Sequence, residues 1–305
     1  MTPKIFGILF LIIAVGAIVF LGRSGVVDKL MSLGTSSSGT VLAPVFHLPN
    51  QNYGANVPSY SYTPPPVSPQ PPSSQQSISP SDIPVGFTAS QLSPYFHKIR
   101  FSSIWAGSYY SYGQISIRNT SYQEESPINV TGWLIQGNRG GQYIPQAVNV
   151  YNPSGLAAPG DIYMKSGDTV NIYTSRSAIG LNFRLNKCIG YLENTNDFVP
   201  SLPANCPAVN RSEISGFTGI CQNYILSIGS CQFPAANPPV PYNDYGCLDY
   251  LNTLNYSGCF NRHQGDPDFL SSEWRVWIGN RFLDESHDRV LLFDGNGLLV
   301  DLYEY

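Results

Sequence analysis

The segment Tyr112-Gly-Gln-Ile-Ser-Ile-Arg-Asn-Thr-Ser121, followed by Pro127-Ile-Asn-Val-Thr-Gly-Trp133, decides how this chain is read. Ile115 and Ile117 alternate with Ser116 and Arg118, the period of two expected of a strand with one buried face. Asn119-Thr120-Ser121 supplies turn formers, and the polar run Tyr122 to Ser126 leads to a second alternating segment of Ile128, Val130, Trp133 and Leu134. Two strands joined by a polar connection and closed on a Gly-Trp pair predict an all-β sandwich rather than an α/β enzyme.

Outward from this segment the same pattern recurs. Phe96 to Ser103 alternates, predicting a first strand that ends near Ile104. Gln136-Gly-Asn-Arg-Gly-Gly141 reads as a turn, because no Lys-Ser/Thr follows to make it a phosphate loop and Gln142 to Pro145 is extended. Gly167-Asp168 turns into a strand in which Val170 and Ile172 point inward. Near the C-terminus, Val290 and Leu292 precede Asp294-Gly-Asn-Gly297, and Leu299 to Tyr303 returns as the second arm of a hairpin. The predicted core is therefore Ile115, Ile117, Val130, Trp133, Val170, Ile172, Val290 and Leu292.

These segments resemble a known family. Strand, Arg118-Asn119, loop and Val130-Thr-Gly-Trp-Leu134 look like the opening of the lamin-tail domain, an immunoglobulin-like sandwich of nuclear lamins and many bacterial surface proteins. Gly167-Asp-Thr-Val-Asn-Ile172, Ser177 to Leu192 and the closing strands 288–305 are similar to later parts of it, and Cys188 to its cysteine-bearing bacterial members. The resemblance covers about 96–192 and 271–305, in the family's order, and departs from it in the residues between. It implies an immunoglobulin-like fold and a role as an interaction module.

Composition limits the function. Charged residues are 12% and aromatic residues 13% of the 305, with 20 Tyr and 25 Pro, a balance that suits an extracellular all-β protein. Net charge is −4; residues 1–95 hold three basic and two acidic groups, leaving thirteen against eighteen beyond them. Nucleic acid is excluded as the main partner, because phosphate binding needs a basic face.

Ile5 to Gly22 runs without a charge between Lys4 and Arg23. At ~1.5 Å per residue its eighteen residues span about 27 Å, near the ~30 Å hydrocarbon core, so residues 1–29 are read as a membrane anchor with a transmembrane helix over 5–22. A cleaved signal peptide is the competing reading, with Val15 and Ala17 before the cut. Residues 30–94 contain no Lys or Arg and one acid, Asp82, amid Ser, Pro and Gln, which predicts a disordered, partly polyproline linker.

The domain is then 95–305, with an insertion over 193–270. Two pieces of the insertion read as helices: Ile214 to Ile228, stopped by Gly229, and a segment capped by Asp244 that carries Cys247, Leu248, Leu251 and Leu254. Cys188, Cys206, Cys221, Cys231, Cys247 and Cys259 predict three disulfides in an oxidising compartment, with fifteen pairings open. Zinc would require closer spacing than these cysteines have. The disulfides also orient the chain: the C-terminal domain is expected outside a membrane crossed once.

Two His–acid clusters, His263-Gln-Gly-Asp266-Pro-Asp268 and Asp284-Glu285-Ser-His287-Asp288, are the candidates for acid–base or metal chemistry, though each reads first as a solvated loop. Asp294-Gly-Asn-Gly297 resembles the start of a calcium loop but lacks its Glu. Nucleophile-elbow, zincin and dinucleotide motifs are absent from the sequence. Asn119, Asn129, Asn210 and Asn255 begin glycosylation sequons; the bacterial side of the resemblance counts against their use. No catalytic residue, cofactor or metal is expected. The expected function is a non-enzymatic module displayed on a stalk, meeting a protein or another envelope component through its loops, its insertion or Tyr109, Tyr110 and Tyr112. Alternatives are a structural subunit of an envelope or filament assembly and a surface hydrolase or metal-dependent enzyme working from the insertion.

Overall fold

In the computed structural model the chain separates into two units, Met1–Pro69 and Gln70–Tyr305. The structure describes residues 78–305 except 109, 124 and 156, so the expected anchor, most of the expected linker and Tyr109 lie outside the described residues. Among the described residues no helix is long and apolar enough to cross a membrane.

Among the described residues eleven strands form three sheets. The five-stranded sheet has β1 (Ile99–Trp105), β2 (Gln114–Asn119), β7 (Thr169–Tyr173), β9 (Leu270–Trp277) and β8 (Phe183–Asn186), in that order. The four-stranded sheet runs β11 (Leu299–Glu304), β10 (Arg289–Phe293), β4 (Leu134–Gly137) and β5 (Gly140–Tyr143). β3 (Ile128–Asn129) and β6 (Tyr163–Met164) make a short third pair. All pairings are antiparallel except β7 with β9.

The arrangement is a β-sandwich, and strand parity explains it. Val170 and Ile172 of β7 and Trp274 and Val276 of β9 point into one core with Ile115, Ile117, Val130, Trp133, Ile135, Val290 and Leu292. Their neighbours one residue on, Tyr173 and Trp277, point to the opposite face, where they join Phe183, Leu185 and Phe198 in a second core. The five-stranded sheet is thus buried on both faces where β7, β9 and β8 lie: one face meets the four-stranded sheet, and the other is roofed by the chain between β8 and β9, while Arg100, Ser102 and Arg118 of β1 and β2 stay exposed.

That chain is the insertion, and its topology is simple. β8 and β9 are antiparallel neighbours, with Asn186 opposite Leu270, so everything between them is one long hairpin connection. The Lys187 N–H donates to the Phe269 carbonyl at 3.0 Å, closing the neck. Because both ends are pinned by the sheet, the loop can lengthen without disturbing the sandwich.

Three expectations are corrected. The linker ends earlier than Pro94: Ile78, Ile83 and Phe87 pack with Leu92, Phe96, Leu291, Phe293 and Leu299 on the outer face of the four-stranded sheet, and Arg289 donates to the Val85 carbonyl at 2.7 Å. The first strand begins at Ile99 rather than Phe96, because His97 adopts φ 63° and Phe96 is drawn into that satellite cluster. The insertion holds three α-helices, not two: α1 (Gly219–Ser227), α2 (Tyr245–Asn252) and α3 (Tyr256–His263). Ile214 lies in a turn before α1 instead of within it.

Candidate functional site

Each helix of the insertion is started by a side chain. Thr218 accepts from the Cys221 N–H, Asp244 from the Cys247 N–H and Asn255 from the Gly258 N–H, which satisfies one otherwise unpaired donor in each first turn. The Thr218 hydroxyl also donates to Asp244 Oδ2 at 2.8 Å, so α1 and α2 begin side by side. One turn further on, Cys221 and Cys247 join them covalently, with Cα atoms 6.0 Å apart. Ile214, Ile225, Leu251 and Leu254 pack around this bridge as a small separate core.

Of the other bridges, one ties the insertion to the end of β8 and one lies within the insertion: Cys188, just after β8, pairs with Cys259 on α3, and Cys206 pairs with Cys231. All six cysteines are therefore in disulfides, as expected, and the pairing left open by the sequence is 188–259, 206–231 and 221–247. Two glycines permit the close approaches: a Cβ at Gly190 would lie 2.5 Å from the Cys231 sulfur, and one at Gly258 only 1.9 Å from the Thr253 carbonyl oxygen. On α3, the Tyr256 hydroxyl donates to the Tyr151 carbonyl at 2.7 Å and accepts from Asn186 Nδ2 at 3.0 Å, and burial pushes this phenol's pKa up.

Between α2 and the proline-bearing segment before it lies a groove of about 570 Å³. Phe233, Pro234, Ala235, Ala236 and Pro238 form one wall; Leu248, Leu251, Asn252, Leu254 and Asn255 form the other. The first wall is held by the Ala235 N–H, which donates to the Tyr224 hydroxyl of α1 at 2.8 Å. Phe233 stands at the lip, 41% exposed, stacked on Tyr191 with ring centres 6.1 Å apart. No ionisable side chain lines this groove. Asn255 is occupied in capping α3, whereas Asn252 is exposed. A smaller groove of about 350 Å³ lies by Leu134, Gln136, Tyr143 and Phe293 on the outer face of the four-stranded sheet.

The two His–acid clusters are occupied by structural contacts. Lys187 Nζ donates to Asp266 at 3.0 Å and to Asp268 at 2.6 Å, and His263 Nδ1 lies 2.9 Å from Asp266. The hydrogen bond from Lys187 holds both carboxyls below the usual carboxylate range, and their bonds raise the lysine in return. The cluster clamps the neck of the insertion. In the second, Asp288 is buried and accepts from the Asn138 and Asp284 N–H groups, at 2.7 and 2.8 Å. Asp284 pairs with Arg139, Glu285 with Arg281, and Asn138 Nδ2 donates to the His287 carbonyl. Cys221, Asp244 and Cys247 have metal-ligand spacing, but both sulfurs are committed to the disulfide and Asp244 to its cap.

Asp294 also has a structural task. Its Oδ1 accepts from the Asn296 and Leu298 N–H groups, and its Oδ2 from the Ser93 hydroxyl, making the hairpin turn. The tyrosines divide. Tyr110 is 94% exposed, while Tyr112 is partly buried between Trp105 and Tyr173, with ring centres 5.5 and 5.9 Å away. The groove sets residues 233–238 against Leu248, Leu251 and Leu254, a pairing the sequence reading did not make. Its one sequence signal was Asp244 before Cys247-Leu248-Leu251, which marked α2.

Fold and site together define a disulfide-stapled β-sandwich that carries a helical, grooved insertion on one sheet edge. Comparison with family models, with curated proteins and with solved structures finds no match to this chain.

Proposed function

We propose that this chain is a non-enzymatic binding module of the immunoglobulin-like, lamin-tail type, held at a membrane by its N-terminal segment and displayed outside the cell. The family reading is supported by its motif segments occupying β2, β4, β7, β10 and β11 with their apolar positions in one core. The apolar run Ile5–Gly22 and the three disulfides support an anchored, oxidised setting.

The observation that carries the binding role is the charge-free groove between residues 233–238 and α2. Cys231 lies two residues before Phe233 and Cys247 directly before Leu248, so each wall of the groove begins at a disulfide, in a region whose own core is small. Pro, Ala and Leu walls with Phe233 at the lip favour an uncharged, apolar protein segment over a glycan, since the walls offer few hydrogen-bond donors for hydroxyl groups. The partner is a protein of the envelope or of a neighbouring cell.

The test is capture of envelope proteins by the full chain, wild type against Ala235→Glu and Ala236→Glu, which place a carboxylate in the groove. A tenfold or greater loss of captured partner, with unchanged circular dichroism, is expected; equal capture would overturn the groove as the contact. External protease on intact cells is expected to release a fragment that contains residues 95–305, and complete protection would overturn outside display.

A further inference from the structure

The sequence presents four equivalent Asn-x-Ser/Thr sequons, and the structure separates them. Asn119 is buried, and its Nδ2 donates to the Met164 carbonyl at 2.9 Å. Asn129 Nδ2 donates to Asp161 at 3.0 Å, while the Thr131 hydroxyl of the same sequon accepts from the Ile162 N–H. Asn255 caps α3 and its Nδ2 donates to the Asn252 carbonyl at 2.6 Å. Each of these amide nitrogens already donates to a partner in the fold, so presenting it to a transferase requires that bond to break.

Asn210 differs in exposure and in its amide nitrogen. Asn210, Arg211 and Ser212 are all exposed. Asn210 Oδ1 accepts from the Ser212 N–H at 3.0 Å, the same Asx-turn that Asn119 and Asn129 make with Ser121 and Thr131. Among the described residues its Nδ2 donates to no group, so the nucleophilic atom faces solvent while the turn brings the Ser212 end of the sequon back toward it. Nothing needs to unfold for this amide to react.

We propose that Asn210 is an N-glycosylation site, and the one sequon of the four that the folded domain can present to a transferase. The inference rests on the reading that the domain lies outside the membrane, and a glycan on Asn-x-Ser/Thr needs a surface position. In the reaction, Asn210 Nδ2 attacks the anomeric carbon of a polyprenyl-diphosphate-linked oligosaccharide. The Nδ2–C1 bond forms, the C1–O bond to the diphosphate breaks, polyprenyl diphosphate leaves, and the amide proton passes to a carboxylate of the transferase. No oxidation or reduction occurs. The bacterial resemblance bears on which donor a cell supplies; it has no bearing on which asparagine can accept it. A glycan here would project from the turn that precedes α1, where Asn210, Arg211 and Ser212 are exposed.

The experiment has two arms. In the first, the full-length chain is isolated from its own cells, digested and mapped by mass spectrometry. The peptide containing Asn210 is expected to carry an oligosaccharide that peptide-N-glycosidase removes, and the added mass is lost in Asn210→Gln and in Ser212→Ala, the second keeping the asparagine. An unmodified Asn210 overturns the proposal. Protease treatment of intact cells tells the two readings apart: a domain released from outside with a bare Asn210 sinks the glycan alone, and a protected domain sinks the outside location with it. In the second arm, purified folded chain is given an oligosaccharyltransferase and a polyprenyl-diphosphate oligosaccharide. At least tenfold more product at Asn210 than at the other three sequons together is expected, and modification at Asn119, Asn129 or Asn255 would overturn the selection.

Discussion

The sandwich and its insertion are stabilised in opposite ways. The sandwich core draws on strands far apart in sequence, and its residues are mostly Ile, Val, Leu and Trp, with Phe, Ala and Met among them. The separate core of the insertion is small, built on Ile214, Ile225, Leu251 and Leu254 around one disulfide, in a segment dense with Pro, Gly and Asn. A sheet with two buried faces removes enough apolar surface from water to hold itself together. A short loop with helices of eight or nine residues does not, and covalent links make up the difference. The comparison also says where variation is tolerated: in the loop whose ends the sheet already fixes.

The largest expected effect is in the sandwich. Trp274 is 1% exposed at its centre, and Trp274→Ala is expected to cost about 3–5 kcal/mol, measured by urea unfolding. A loss confined to the insertion would break the contrast drawn here. Next comes Cys188→Ala with Cys259→Ala, removing a link across 71 residues of sequence separation; about 2–4 kcal/mol is expected to be lost. Hydrogen exchange should then rise first in α1 to α3 while β2, β7 and β10 stay protected. Simultaneous loss in both would mean that the two regions unfold as one.

A smaller effect is expected at the paired helix starts. Asp244→Ala removes the acceptor for the Cys247 N–H and for the Thr218 hydroxyl, and about 1 kcal/mol of insertion stability is expected to go with it. The least is expected at the exposed neck, where Lys187 clamps Asp266 and Asp268. The two carboxyls are depressed in the folded state, so the clamp contributes above the ordinary carboxylate range and is lost as pH falls through their lowered values. Lys187 is raised, so its share is present at neutral pH and is lost only as pH climbs through the lysine range. Lys187→Met should flatten the acid limb of the stability profile and leave the neutral region nearly unchanged; an unaltered acid limb would show that the clamp does not act in solution.

What was legible depended on how local the cause was. Val170 and Ile172, or Val290 and Leu292, announce their buried face through alternation alone, and all four are at most 2% exposed. Asp244 announces α2 because capping involves residues three apart. The third helix was missed although Tyr256, Cys259 and Phe260 fall at helical spacing behind the Asn255 cap: its eight residues include a mid-helix glycine, and it is ordered by the Cys188–Cys259 bridge and by Tyr256 and Phe260 packing under the sheet. Ile78, Ile83 and Phe87 were read as linker. Their spacing follows no helix or strand period, and only the outer faces of β10 and β11 give them a partner.

By itself, then, the amino-acid order determined the two-residue alternation of the main strands, the hairpin at Asp294–Gly297 and the presence of six cysteines in a loop too polar to hold itself together. Those properties arise within a few residues of chain, where backbone geometry and side-chain period act directly. Tertiary structure alone decided that β7 runs parallel to β9, that Cys188 meets Cys259, and that a proline segment and α2 face each other across an open groove. Each of these joins residues that no local rule connects, and they come together because the two ends of the insertion are held side by side in one sheet.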